Sequence, residues 1–371
     1  MKKILPIGID VGTCSVKLVQ LAVDRHTFSV VACAKAELPE GSDMSPESRL
    51  DMIAARVQRE LKEHKFRGTD CISALMDSEV NIRSIRVPCV SDAMLDDAVY
   101  SEAKTKFPFD IDEATLNYMV AGEVRHGEDA RLEVILLAAP KPAVEEHVRR
   151  LHHMGLIPAS LDVQHCALFR TFERYLRRKE DENEVNVFVD MGGMTKVVIT
   201  RGRDILFIKN INKGAISFNE AVASRLSMSL SEASQLRRRA IKSVQDSAAG
   251  GNDVDGQVRQ ALMDAIRPEI EELADEINKC LRYHSVTFRG QRPAHVTFIG
   301  GETHEGDIPE TLGRRIGLPV IIGQPFRGIG TDNLGPHVDR RGMLSEWTVA
   351  FGLSLKGAFI RGYGLGQKLA G

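Results

Sequence analysis

At 371 residues the chain exceeds what one hydrophobic core usually serves, and at roughly 150 residues per domain two or three domains are expected. Hydrophobic residues at 43% and charged residues at 27% exclude a disordered polyelectrolyte. Lys plus Arg, 49, nearly balances Asp plus Glu, 51, so the net charge of −2 and the lack of a basic block exclude the electrostatic footprint of a nucleic-acid binder.

The six cysteines, at 14, 33, 71, 89, 166 and 280, form no C-x-x-C pair, and Met1-Lys2-Lys3 runs straight into a strand-like segment with no secretory signal. A cytoplasmic protein with reduced thiols is expected. No run approaches the ~18 apolar residues of a membrane helix, so any membrane association is expected through a partner. The cluster Arg237-Arg238-Arg239 reads as a solvated helix face.

In chain order, β-branched apolar runs at 4–10, 16–23 and 28–34 predict three strands in a meander. Ser45, Pro46 and Glu47 then supply an N-cap, a first-turn proline and a first-turn acid for a helix over 46–64. Strands follow near 71–76 and 80–87, then a helix capped by Ser91 that Pro108 stops at Phe107. Strands at 115–121 and 132–139 and a helix over 142–154 complete a small α+β unit, read as an insertion in the first domain. The charge-dense segment 173–184 marks a domain boundary before a strand at 185–190, and the polar stretch 243–256 reads as a loop between helices.

Two segments share one design: I-G-I-D-V-G-T-C-S-V-K-L-V at 7–19 and V-F-V-D-M-G-G-M-T-K-V-V-I at 187–199. Each is an apolar strand ending in Asp-x-Gly, a small-residue turn and a second apolar strand. Asp190 follows Asp10 by 180 residues, about half the chain, which points to two domains of common ancestry. Turn glycines Gly12, Gly192 and Gly193 let backbone N–H groups face a phosphate, and Thr13, Ser15 and Thr195 can add hydroxyls. Asp10 and Asp190 would face each other across a cleft and hold a hydrated Mg²⁺, with Lys17 as a point charge beside the same oxygens. No Walker A sequence occurs, and Gly328, Gly330 and Gly335 miss the G-x-G-x-x-G spacing. After a strand at 295–299, the run Gly300-Gly301-Glu302-Thr303 permits close approach of a flat ring, an adenosine contact, before a helix near 309–316.

These segments resemble the phosphate-1 (10–17), phosphate-2 (190–195) and adenosine (298–302) motifs of the actin, Hsp70 and sugar kinase superfamily. Further segments, K-F-P-F-D-I-D-E at 106–113, A-A-P-K-P-A-V-E-E-H-V, M-G-L-I-P-A-S-L-D-V and V-A-F-G-L-S-L-K-G, make the resemblance closer to the PilM family of type IV pilus assembly, relatives of the cell-division protein FtsA. The resemblance implies an α/β fold, actin-like and ribonuclease H-like, in duplicated domains over 1–184 and 185–371. It places an inserted 1C domain at about 85–158 and a 2B subdomain at about 215–290. It implies ATP and Mg²⁺ as cofactors, with weak or no hydrolysis, and adds Cys14, Gly214, Glu232 and Arg237 to the nucleotide site. Asp162 and Gln164 fall where a water-positioning residue would act, with a satisfied turn aspartate as the equal alternative. The implied partner is the amino-terminal peptide of a PilN-like single-pass inner-membrane protein, with other pilus assembly proteins and self-association also allowed, at the cytoplasmic face of the inner membrane.

One departure from the family pattern stands out. Where relatives carry A-E-x-x-K on the 2B helix, this chain has Ser234 and Arg237. Losing one charge-assisted contact to a ribose costs about 1.5–3 kcal/mol, or ~10–150-fold in affinity, although Glu232 is close enough to substitute. Two other functions remain open: a small-molecule kinase sharing the same cleft, and a scaffold that holds no nucleotide.

Overall fold

Both Asp-x-Gly hairpins form, and each opens a sheet of the same design. The computed structural model describes residues 2–25, 27–38, 45–126, 129–246, 253–305, 307–331, 333–335, 338 and 341–360. In the first sheet β1 (Lys3–Val11), β2 (Ser15–Asp24) and β3 (Thr27–Glu37) are an antiparallel meander. Beyond β1 lie two parallel strands, β4 (Asp70–Leu75) and β8 (Ile157–Val163), giving the order β3-β2-β1-β4-β8. In the second sheet β9 (Val185–Met191), β10 (Thr195–Arg201) and β11 (Asp204–Ile211) repeat the meander, and β12 (Val296–Ile299) and β13 (Val320–Ile322) repeat the parallel pair. The order β11-β10-β9-β12-β13 is therefore the first sheet again.

Local signals set most of these elements. The register of β1 against β2 shifts between Ile4 and Ile7, where Pro6 has no N–H to give the ladder. Helix α1 (Pro46–Glu63) begins where expected, with the Ser45 hydroxyl accepting from Ser48 N at 3.2 Å. Helix α2 (Asp92–Ala103) stops earlier than Pro108 would require. Phe107 instead leaves the helix and stacks on Phe109, ring centroids 5.4 Å apart, in a small core with Val99.

That core belongs to the inserted unit, whose sheet runs β5 (Asn81–Pro88), β7 (Asp129–Pro140), β6 (Ala114–His126) and carries α2, while α3 (Lys141–His153) packs on α1 and β8 and sends Leu151 into the first sheet's core. The three-stranded sheet and α2 lie within 81–140, and β8 returns to the first sheet, with Ile157 N donating to Thr69 O at 2.9 Å. Of the stretch 243–256 expected as a loop, 243–246 end α6 (Leu230–Asp246) and 253–256 begin α7 (Asp253–Phe288), so the described part is helical; 247–252 lie outside the described residues. With α5 (Ala215–Leu226) and α8 (Asp307–Ile316), these helices cover the second sheet.

Helix α4 (Gln164–Glu173) and helix α9 (Thr348–Ile360) overturn an even split at residue 184. Helix α9, apolar all round, packs on β1 and α4 of the first half, and Trp347 and Phe351 share a core with Leu5, Val19 and Leu21. The close approach needs glycine: a Cβ at Gly352 would run into the Ala167 carbonyl, and one at Gly8 would meet Ser354 N at 2.5 Å. Helix α9 therefore belongs to the first domain's core.

Candidate nucleotide site

The turns of the two hairpins face a common cavity of about 840 Å³. Its walls include Asp10, Gly12, Thr13, Cys14, Ser15, Lys17, Asp190, Gly192, Gly193, Arg237, Gly300, Gly301, Glu302 and Gln164. Four residues expected at the site do not line it: Asp162, Thr195, Gly214 and Glu232.

Glycines set how closely the halves approach. A Cβ on Gly193 would stand 2.6 Å from Thr13 Oγ1, so the two turns touch only because it is absent. Gly214 packs behind the second turn: its Cβ would fall 2.6 Å from Gly192 O, the atom that accepts from Ala215 N at 2.8 Å at the start of α5. At Gly300 φ is +92°, and a Cβ would lie 2.6 Å from Asp190 Oδ1. Thr195 Oγ1 is buried just behind the turn with no protein hydrogen-bond partner.

Each aspartate stands opposite a lysine across its own hairpin: Asp10 pairs in register with Lys17, and Asp190 with Lys196. Lys17 is the strongest cationic neighbour of Asp10, and Lys196 that of Asp190. Burial nevertheless wins, and both carboxyls are held above the ordinary aspartate pKa. Burial works against the Lys196 ammonium, but Asp190 and Asp77 outweigh it and raise its pKa. Lys196 Nζ lies 3.1 Å from Asp77 Oδ2, whose other oxygen accepts from Asn210 Nδ2 at 3.1 Å. Glu346 sits 2.9 Å from Lys35 and 4.0 Å from Lys17, which ties the segment before α9 to the first hairpin.

Lys196, Asp77 and Glu346 escape the sequence reading. The first hairpin's turn is one residue longer, so Lys17 follows its aspartate by seven positions and Lys196 by six. Their equivalence appears only in the register.

At the other end of the cavity Arg237, expected on a solvated face, is 4% exposed. It forms ion pairs with Glu302 and, at 2.9 Å, with Glu305, and donates to Asn219 Oδ1 at 2.8 Å. Its guanidinium also lies over the Phe218 ring, 5.3 Å from the centroid. Glu232 does not take up the missing carboxylate's position: it accepts from Ser229 N at 2.8 Å and Ser229 Oγ at 2.7 Å, capping its own helix. Asp162 and Gln164 part company as well. Gln164 lines the cavity, whereas Asp162 is paired to Arg170 at 2.7 Å and lies 3.6 Å from Lys356, beneath α9.

The glycine turns and the touching halves suit a polyphosphate. They do not suit a divalent cation held directly by protein: among the described residues no three His, Cys, Asp or Glu side chains converge as ligands. Lys17 and Lys196 supply positive charge beside Asp10 and Asp190.

Comparison with known proteins identifies the family and the fold. A family model described as Type IV pilus assembly protein PilM matches residues 8–358. The structure described as "PilM-PilN type IV pilus biogenesis complex" is similar with a TM-score of 0.75 and 24% identity, covering 95% of this chain and 98% of that one. Ethanolamine utilization protein EutJ from Carboxydothermus hydrogenoformans is similar at TM-score 0.52 and 14% identity, covering 95% of this chain and 89% of that one. The fold is the actin-like α/β fold.

Proposed function

The chain belongs to the PilM family of type IV pilus assembly proteins, and on that premise we propose that it is an ATP-binding actin-like component that couples nucleotide state to the pilus machinery. One observation carries the ATP reading: both repeated aspartates and the glycine turns beside them line a single cavity. Hydrolysis is slow or absent in this reading, since Asp162 is already consumed by Arg170. Calorimetry with ATP on the whole chain tests it, and absence of binding overturns it.

The protein works at the cytoplasmic face of the inner membrane through a PilN-like single-pass protein, whose amino-terminal peptide docks beside the inserted domain. Among the described residues no helix is long and apolar enough to cross a membrane, and the inserted sheet offers outer strands β5 and β6. Replacing 81–140, the three-stranded sheet with α2, by a short linker should abolish co-purification with that partner and leave ATP binding intact. Co-purification by the deleted protein would put the dock elsewhere.

A second reading, a scaffold without nucleotide, draws on the Arg237 ion pairs at the nucleoside end of the cavity. The same calorimetry separates the two.

A further inference from the structure

The duplicated hairpin duplicates a charge pair as well as a turn. On β1 and β2, Asp10 faces Lys17; on β9 and β10, Asp190 faces Lys196. The two lysines differ in what else they touch. Lys17 stands 4.0 Å from Glu346, a loose pairing that leaves its ammonium available to a ligand. Lys196 is buried, at 7% exposure, and fixed at 3.1 Å by Asp77 from the turn after β4. Asp77 is itself held by Asn210 on β11. A buried lysine ion-paired to a carboxylate from the other half of the molecule, with Asp190 opposite it in register, is a permanent positive charge at the base of the phosphate turns.

In a cleft that takes a polyphosphate, a divalent cation has two electrostatic tasks: to neutralise the phosphate oxygens and to relieve the repulsion of the aspartates that hold its water shell. Here both are met by the chain itself. The cavity wall carries seven Lys or Arg against six Asp or Glu, so it is net positive before any ion arrives. We propose that Lys196 is a resident cation of the second hairpin, so that the cleft takes the polyphosphate chain of a nucleoside di- or triphosphate without requiring a divalent metal. This inference rests on the nucleotide reading and sharpens it, since it assigns the role expected of Mg²⁺ to a side chain.

The test is ATP affinity of the whole chain by calorimetry, once with excess Mg²⁺ and once with EDTA. The wild type should bind in both, with affinities within about threefold, because the charge a metal would bring is already present. In Lys196→Met, Asp77 and Asp190 lose their counter-charge and the position becomes open to an ion. That variant should bind at least about tenfold more weakly in EDTA than in Mg²⁺, the scale of one charge-assisted contact. Wild-type binding that appears only with Mg²⁺ overturns the inference and leaves the nucleotide reading standing. No binding in either buffer overturns the nucleotide reading itself. If Lys196→Met fails to fold, the two wild-type titrations still decide between these outcomes.

Discussion

Arg237 on α6 donates to Glu305 at 2.9 Å, joining the second subdomain's helix to the segment that follows the Gly300-Gly301 turn. The pair spans the end of the cavity where a nucleoside would enter. Burial opposes the Arg237 charge, but Glu302 and Glu305 more than restore it and push its pKa up. Arg237→Ala would leave two acidic groups without their partner, one of them buried, at a cost of about 3–5 kcal/mol. Urea unfolding should show the loss, and Arg237→Lys, which keeps charge without the forked geometry, should fall between the two.

Asp10 should be a stability liability in the absence of ligand. Burial raises its pKa against Lys17 and Lys196, so the ionised form is disfavoured in the folded state. A raised carboxyl contributes stability that is complete below the unfolded value of 3.8 and is lost as pH rises through the folded value. At neutral pH Asp10→Asn should therefore melt higher than the wild type, with each kcal/mol worth about 2–4 °C in domains of this size. The gap should close as pH falls towards 3.8, where the native carboxyl is protonated in both states. An Asp10→Asn that melts lower at neutral pH would show that its ion pairs outweigh its burial.

Gly300 should tolerate no side chain. Its φ of +92° is unfavourable to other residues, at about 1–3 kcal/mol, and a Cβ would also press Asp190 out of place. Gly300→Ala should lower both the unfolding midpoint and ATP affinity, whereas Gly301→Ala, with open space at its Cβ, should leave stability near wild type.

The inserted domain is fastened at its root by Glu79, which pairs with Arg150 and receives the His147 ring at 2.8 Å, while the other ring nitrogen meets Ser73 Oγ at 3.0 Å. Burial would raise the Glu79 pKa, but His147, Met76 N and Arg150 bring it below the ordinary glutamate value. Such a depressed acid stabilises the fold above 4.5 and stops doing so as pH falls through its folded value. Glu79→Gln should cost about 1.5–3 kcal/mol at neutral pH, the range for hydrogen bonds to charged groups, and should speed amide exchange in α3.

Much of the architecture was legible in the residues because it rests on short-range physics. Alternating and continuous apolar runs gave β1, β2 and β9, Ser45-Pro46 gave the start of α1, and Asp-x-Gly with its small-residue turn marked both hairpins and their repetition. Gly300 and Gly301 were found the same way, from the strand that precedes them.

What the sequence could not determine depends on partners far along the chain. The Lys35–Glu346 bond joins residues 311 positions apart, and the Arg237–Glu305 bond spans 68. A charged residue's role is set by which opposite charge shares its low-dielectric surroundings, and that is decided only when the sheets and helices pack. Arg237 read as solvated and proved buried, Asp162 read equally as a water-positioning or a satisfied residue and proved committed to Arg170, and α9 crossed back to the first sheet. Lys196 was hidden for a simpler reason: turns of unequal length put equivalent residues at unequal spacing, and only the hydrogen-bonded register restores their equivalence.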